Sequence, residues 1–257
     1  PSLRIINFNR IKKYINDKTL LIIVDVHNKG YVKNIDLVEK INRKIIIDHH
    51  RRSADYIEDA TLTFQEVYAS SAAELVTELL QYTDTNVVLK TIEAESLYAG
   101  IMMDTKNFTF KTGVRTFEAA AYLRKCGVDI IRVKKWFQSD LISFNKIAAI
   151  VKSAEIVNGS VAIAINPKRE KDTSIVCAKA ADELLTISDI TASFVLGDMG
   201  DKVCISGRSI GDVNVQVILE KLGGGGHITL AGAQVEGKDI EEVKGELIGC
   251  IAEYFSG

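Results

Sequence analysis

The chain has 257 residues, of which 47% are hydrophobic and 26% charged, with Lys+Arg 32 against Asp+Glu 34 and a formal net charge of -2. That composition describes one large globular domain or two small ones and excludes long disorder. The balanced charge excludes the basic excess of a protein that coats long nucleic acid, and it leaves a small nucleotide or a short oligonucleotide open as partner.

In chain order, the first clear element is Leu20-Leu21-Ile22-Ile23-Val24-Asp25. So short an unbroken apolar run predicts a strand buried on both faces, as in a parallel sheet. A polar, helix-like stretch from Asn34 to Asn42 follows. Ile45-Ile46-Ile47 then reads as a second strand, ending in Asp48-His49-His50. Strand, helix and strand make a βαβ unit, and both strands finish in polar residues at the carboxyl edge, where open α/β sheets place their sites. Leu62 to Val67 predicts another strand. Ser71-Ala72-Ala73-Glu74 is a capping-box pattern opening a helix through about Gln81. A helix over about 90–103 carries Ile92, Leu97, Ile101 and Met102 as its apolar set and ends at Asp104-Thr105. Arg115 to Lys125 is a helix closed by Gly127, and more helix runs through Trp136 to about Val151.

The character then changes. Asn158-Gly159 is a hairpin signal between Glu155–Val157 and Val161–Ile165. A helix near 180–185, strands near 193–196 and 203–206, a helix near 213–222, a four-glycine run and a helix over 239–255 complete the chain. Residues 1–140 are therefore expected to form an α/β domain with a mainly parallel sheet. Residues 152–257 are expected to form a smaller α+β domain, with the linker in the helical stretch 137–151. No apolar run approaches the roughly 20 residues of a membrane helix, and no signal peptide is visible. Cys126, Cys177, Cys204 and Cys250 are scattered without a C-x-x-C pair. They read as buried small residues of a cytoplasmic chain rather than a disulfide framework or zinc knuckle.

The four histidines are not scattered. His27 stands two residues after Asp25, His49 and His50 follow Asp48, and His227 follows Gly223-Gly224-Gly225-Gly226. Three histidines and two aspartates at two strand ends of one βαβ unit point to a metal or catalytic site. Carboxylate and imidazole without thiolate suit Mn²⁺, Fe²⁺, Mg²⁺ or Zn²⁺ and lean towards Mn²⁺. Asp104, at the end of a helix where its charge opposes the macrodipole, is a third carboxylate. Asp25, His49 and Asp104 could supply part of a two-ion site. Four glycines in a row exceed what a helix cap needs. They read as a close backbone approach to a ligand phosphate or base, with Arg208 and Ser209 just upstream and His227 as donor. Ser70 and Ser71 read as helix caps, Arg51 and Arg52 as solvated, and Trp136 and Phe137 as packing.

At Asp48-His49-His50 the pattern resembles the DHH phosphoesterase family, in the subfamily that carries a DHHA1 domain. Asp25 is similar to the family's second motif and Asp104-Thr105-Lys106-Asn107-Phe108 to its fourth, extended by Arg115-Thr116-Phe117 with Ala119 and Ala120. Gly223 to His227 matches the GGGH signature. Within the family, the segments 47–52, 68–79 and 211–218 resemble GdpP-type cyclic-di-AMP phosphodiesterases. The resemblance implies hydrolysis of cyclic-di-AMP to linear 5′-pApA by a two-Mn²⁺ in-line attack of water. Asp25 would bridge the ions, with His49 and Asp104 as ligands. Asp48 would orient His49, and His50 would face the phosphate or shape the metal shell. Arg208, Ser209, Gly223, Gly224, Gly225, Gly226 and His227 would hold a cyclic or short linear dinucleotide. It also implies a homodimer and a parent protein anchored at the cytoplasmic face of the membrane. One departure stands out: residues 1–24 contain no H-x-x-x-D-x-D, the family's first motif. The chain is thus expected to lack the opening strands of the first domain. Two other readings remain open: a nanoRNase or RecJ-like exonuclease on short oligonucleotides, and a non-catalytic nucleotide-binding fragment.

Overall fold

The computed structural model describes residues 8–83 and 88–256, with side chains from Arg10 onward. The Pro-Ser opening and Asn7 lie outside the described residues. The chain divides into two compact units between Gln138 and Ser139. The helix at 141–152, in the stretch read as linker, falls within the second unit.

The first unit begins with a short helix, α1 (Phe8–Ile11), followed by β1 (Leu20–Val24), α2 (Ile35–Lys40), β2 (Arg43–Asp48) and β3 (Leu62–Gln65). The three strands form one parallel sheet in the order β1-β2-β3, with Val24 opposite Ile47 and Asp48 opposite Gln65. This is the predicted βαβ arrangement. The expectation that β1 is buried on both faces is corrected: Leu20, Ile22 and Val24 are 45%, 54% and 50% exposed. Among the described strands β1 lies at the end of the sheet, and only its alternate side, with Ile23, packs against Ile46, Val38 and Ile57. Side chains alternate across a strand, so cover on one side leaves the other in solvent.

Four helices complete the unit: α3 (Ala72–Tyr82), α4 (Thr91–Asp104), α5 (Val114–Lys125) and α6 (Ile130–Trp136). α4, α5 and α6 share a core of Ala94, Tyr98, Ile101, Met102, Ala119, Leu123, Val128 and Val133. Arg115 fastens α5 to α3 with two hydrogen bonds donated to Glu78, at 2.7 and 2.6 Å. The continuous helix expected through Trp136 to Val151 is instead two helices. Asp129 caps α6 by accepting from the backbone of Ile131 and Arg132, and Asp140 caps the next helix by accepting from Ser143. Each cap satisfies N–H groups that a continuous helix would have bonded internally.

The second unit runs α7 (Leu141–Lys152), β4 (Glu155–Val157), β5 (Val161–Asn166), α8 (Thr173–Leu184), β6 (Ala192–Asp198), β7 (Lys202–Ser209), α9 (Val215–Glu220), β8 (Gly225–His227), β9 (Leu230–Glu236) and α10 (Ile240–Ser256). Its six-stranded sheet has the order β4-β5-β6-β7-β9-β8, with only β5 and β6 parallel. Asn158 and Gly159 take φ of 48° and 78°, the left-handed pair that a tight hairpin turn requires. α7 and α8 cover one face of the sheet through Ala162, Ala164, Val195 and Cys204. α9 and α10 cover the other through Ile163, Phe194, Leu196 and Ile205. Part of the glycine run, expected to approach a ligand through its backbone, forms β8 at the end of the described sheet, and it pairs there with β9, a strand the sequence did not predict.

Candidate functional site

Asp25 directly follows β1. Its backbone N–H still donates to Ile47 at 2.9 Å, but its φ is +63°, a left-handed conformation uncommon for a residue with a side chain. The bend sets its carboxylate over the end of β2. There Oδ1 lies 3.3 Å from Nε2 of His49 and 3.9 Å from Nδ1 of His50. Asp25, His49 and His50 each offer a donor atom within 4.8 Å of the others. Asp104 Oδ2 stands 3.9 Å from the same Nε2 of His49. The predicted metal set of Asp25, His49 and Asp104 is therefore gathered at one place, and His50 joins it.

The donor set fits a divalent cation. Nδ1 of His49 lies 3.4 Å from the carbonyl oxygen of Ala69. A carbonyl only accepts, so in the neutral ring Nδ1 carries the hydrogen and Nε2 presents a lone pair. That lone pair converges with two carboxylates. Burial, and then the charge of Asp25, push the Asp104 carboxyl above the usual carboxylate range. A cation would relieve this convergence of electron-rich atoms. Mixed oxygen and nitrogen ligation without sulfur suits a metal such as Mn²⁺.

The expectation that Asp48 orients His49 is corrected. Asp48 is fully buried and bonds His27 and His50 instead. Successive residues of an extended chain point to opposite sides, so Asp48 shares a side with His50 and not with His49. Nδ1 of His50 donates to Asp48 Oδ1 at 2.7 Å, and the His50 N–H donates to the same oxygen at 3.2 Å. His27 holds the other oxygen through Nδ1, while its Nε2 accepts from the Ser53 N–H at 3.0 Å. Burial alone would raise the Asp48 carboxyl, but the hydrogen bonds from His50 and His27 outweigh it and hold the group far below the usual range. The bond to Asp48 correspondingly raises the proton affinity of His50. His27 is the residue that the sequence reading placed in the histidine cluster without a role; its signal was its position two residues after Asp25.

Asp104 is the last residue of α4, and the D-T-x-x-F pattern has a physical basis here. The buried Thr105 donates its hydroxyl to Ile101 O at 2.6 Å and accepts from the Phe108 N–H at 2.9 Å. Lys106, Asn107 and Phe108 all take left-handed φ, from 46° to 63°. Phe108 then seats its ring 5.6 Å from Tyr98 and 5.8 Å from Phe117. The knot fixes the end of α4 and with it the Asp104 carboxylate.

In the second unit, a cavity of about 550 Å³ is lined by Ser174, Cys204, Ser206, Arg208, Gly223 to Gly225, Leu230 and Gln234, among others. Nε of Arg208 donates to Asp182 at 3.1 Å and Nη1 to the carbonyl of Gly207 at 2.9 Å, which hold the guanidinium against the sheet. The glycines divide by role. Gly223 has φ +74° after α9, a left-handed cap. A Cβ on Gly224 would lie 2.4 Å from the carbonyl oxygen of Gly232, and one on Gly226 2.4 Å from that of Leu230. Those two are required by the close pairing of β8 with β9. Gly225 has open space around its Cβ position, so packing leaves its missing side chain unexplained. Ser209 uses its hydroxyl to accept from Gly211 and Val213. His227 is exposed at the end of β8 and is not among the residues that line the cavity.

Comparison with known proteins places these features. A model of the DHH family, N-terminal domain, matches residues 3–101, and one of the DHHA1 domain matches 157–253. The chain is 44% identical over 94% of its length to the cyclic-di-AMP phosphodiesterase GdpP of Bacillus subtilis. It is 42% identical over 95% to the cyclic-di-AMP phosphodiesterase PdeA of Listeria monocytogenes. In each case it spans 37% of the relative's own length. The crystal structure of an exopolyphosphatase-related protein from Bacteroides fragilis shares the fold, with a TM-score of 0.81 at 18% identity, covering 96% of this chain and 76% of that one.

Proposed function

The chain belongs to the DHH family and carries a DHHA1 domain, and from that premise we propose that it is a metal-dependent phosphodiesterase that opens cyclic-di-AMP to linear 5′-pApA. The observation that carries the reading is the meeting of Asp25, His49 and His50, with Asp104 beside them, in a chain 44% identical to a cyclic-di-AMP phosphodiesterase. Asp25, His49 and Asp104 are the residues proposed to hold the metal, with Mn²⁺ suited to their oxygen and nitrogen donors. Bound there, the metal would polarise the phosphoryl oxygens and make water a competent nucleophile at neutral pH.

The chain's own residues do the rest. A water oxygen attacks phosphorus opposite the ribose 3′ oxygen. The P–O3′ bond breaks, O3′ takes up a proton, and one water is consumed to leave a 5′ phosphate and a free 3′ hydroxyl. His50, its Nδ1–H bonded to Asp48, donates from Nε2 to the phosphate in its doubly protonated form, which the bond to Asp48 favours. Asp48 and His27 keep that ring in one orientation. Arg208 and the backbone of Gly225 hold the nucleotide in the second unit's cavity, and the exposed His227 closes on it from the end of β8. The near-neutral charge of the chain agrees with a small ligand gripped locally. A homodimer, and a parent protein at the cytoplasmic face of a membrane, belong to the same reading. Among the described residues, no helix is long and apolar enough to cross a membrane.

The test is turnover of cyclic-di-AMP and of a short linear RNA, side by side, with Mn²⁺ and with chelator. The expected product from the cyclic dinucleotide is 5′-pApA, lost on chelation. Hydrolysis of RNA alone would favour an oligonucleotide exonuclease. Tight binding without turnover, even with a segment carrying H-x-x-x-D-x-D added, would favour a non-catalytic nucleotide-binding module.

A further inference from the structure

Glu74 is a carboxylate in an unusual place. It sits in the first turn of α3 and is only 1% exposed. A helix cap does not need this: Asp129 and Asp140 cap α6 and α7 from exposed positions. In a capping box Glu74 would return to the N–H of the cap residue Ser71. Only half of that box forms, the bond from the Glu74 N–H to the Ser71 hydroxyl at 3.0 Å. The Glu74 side chain reaches one residue further back. Its Oε2 accepts from the Ser70 hydroxyl at 2.5 Å and from the Ser70 N–H at 3.2 Å. Burying a carboxylate is costly unless it is well hydrogen-bonded, so a site that keeps one is rigidly specified.

The residue fixed in this way adjoins Ala69, whose carbonyl faces Nδ1 of His49 at 3.4 Å. Ala69 is itself buried against Ile47 and Leu75. The peptide between Ala69 and Ser70 is thus clamped by apolar packing on one side and by Glu74 on the other. A histidine that binds metal through one nitrogen is commonly oriented by a partner on the other, and loss of that partner typically lowers metal affinity 10–100-fold.

We propose that Glu74 is a positioning residue of the metal centre: by fixing the Ala69–Ser70 peptide it holds the carbonyl that keeps the hydrogen on Nδ1 of His49 and turns Nε2 towards Asp25 and Asp104. The inference rests on the metal-centre reading above, but it is tested without turnover. With only four histidines in the chain, ¹⁵N-labelled histidine gives a resolvable spectrum at a pH where every ring is neutral, and loss of a signal in His49→Asn assigns His49. The intact chain should show His49 with its hydrogen on Nδ1. Glu74→Ala should shift it towards the Nε2–H form that free imidazole favours and weaken Mn²⁺ binding at least tenfold. Glu74→Gln, which can still accept from Ser70, should keep the original form. Ser71→Ala, which uncaps α3 but leaves the Glu74–Ser70 bonds, should not move it. An unshifted His49 in Glu74→Ala, or an equal shift in Ser71→Ala, overturns the proposal. A shift with unchanged Mn²⁺ affinity removes Glu74 from the metal centre and overturns it too. If Glu74→Ala does not fold, Ser70→Ala deletes the 2.5 Å bond alone and should give a smaller shift in the same direction; no shift overturns the proposal. Failure to hydrolyse cyclic-di-AMP would sink the functional reading while leaving this readout intact.

Discussion

Two adjacent glycines offer a sharp separation of packing from binding. In Gly224→Ala the new Cβ would stand 2.4 Å from the Gly232 carbonyl oxygen, 2.7 Å from the Ala233 Cβ and 2.9 Å from the Ala233 Cα. Two of these atoms are backbone, so relief requires β8 and β9 to move apart. Overpacking of this kind costs about 2–3 kcal/mol. For a unit of this size that is roughly 10 °C in Tm. In Gly225→Ala no atom lies within 4 Å of the new Cβ, and the backbone is not left-handed. Fewer unfolded conformations then make the change neutral or stabilising, by about 0.4–1 kcal/mol. That methyl would, however, project where Gly225 lines the second unit's cavity. Affinity for cyclic-di-AMP should fall roughly tenfold, about 1.4 kcal/mol. Differential scanning calorimetry and isothermal titration on both variants measure the two effects. Equal losses of stability would refute the packing argument. A stable Gly225→Ala with unchanged affinity would refute the assignment of Gly225 to ligand approach.

Three further outcomes are expected. His49→Ala should abolish turnover, by a thousandfold or more in kcat/KM, while leaving nucleotide binding largely intact, whereas His227→Ala should weaken binding; near-normal turnover in the first or unchanged affinity in the second contradicts the assigned roles. Asp48 has a folded-state pKa depressed below its unfolded value, so its contribution to stability is present above about pH 4 and fades as pH falls through the acid range. In chelator, the stability gap between the intact chain and Asp48→Asn should therefore be widest between about pH 4 and 6.5, where the Asp48 carboxylate meets a protonated His50, and should shrink as pH falls further into the acid range; a gap independent of pH would show that the carboxylate charge is not what matters. Phe108→Ala removes the ring packed between Tyr98 and Phe117 and should cost about 2–3 kcal/mol in thermal unfolding, with reduced Mn²⁺ affinity because Asp104 loses its anchor; unaltered metal binding would separate that knot from the site.

The βαβ unit, the Asn158-Gly159 hairpin and the pairing of Asp25 with His49 were legible because each rests on local signals: apolar runs, a left-handed turn pair and polar residues at strand ends; Asp104 was marked only by its place at a helix end, where its charge opposes the macrodipole. Edge status was not legible. The Leu20–Val24 run is as apolar as a buried strand, and nothing within it records that no described strand pairs with its other side. Nor was β9, because Leu-Ala-Gly-Ala-Gln-Val-Glu alternates with small residues that carry little hydrophobic signal. The glycine run looked like a ligand cradle because the strand that crowds Gly224 and Gly226 had not been foreseen. The mistaken partner for Asp48 has a different origin. Neighbours in sequence were assumed to be neighbours in space, and at the end of a strand the alternation of side chains makes i and i+2 the partners instead.

The proposed metal centre is built on strained backbone. Every described non-glycine residue of the first unit with a left-handed φ lies beside one of two carboxylates: Asp25 itself, and Lys106, Asn107, Phe108 and Lys111 after Asp104. In the second unit only Asn158 and Asp189 share that conformation among non-glycine residues described. Each such residue costs on the order of 1–2 kcal/mol, so five around one acidic pair is a concentrated liability. Asp104, with its carboxyl pushed up by burial and by Asp25, adds an electrostatic cost in the same place. A fold selected for stability alone would replace Asp25 with glycine or asparagine and let the end of α4 run out into a simple cap. Retaining the bend keeps the Asp25 carboxylate 3.3 Å from the His49 nitrogen, and retaining the knot after Asp104 keeps the second carboxylate within reach of the same atom. Strain and charge repulsion therefore act on one point, and a cation bound there would relieve the repulsion while its ligation offsets the cost of the strain.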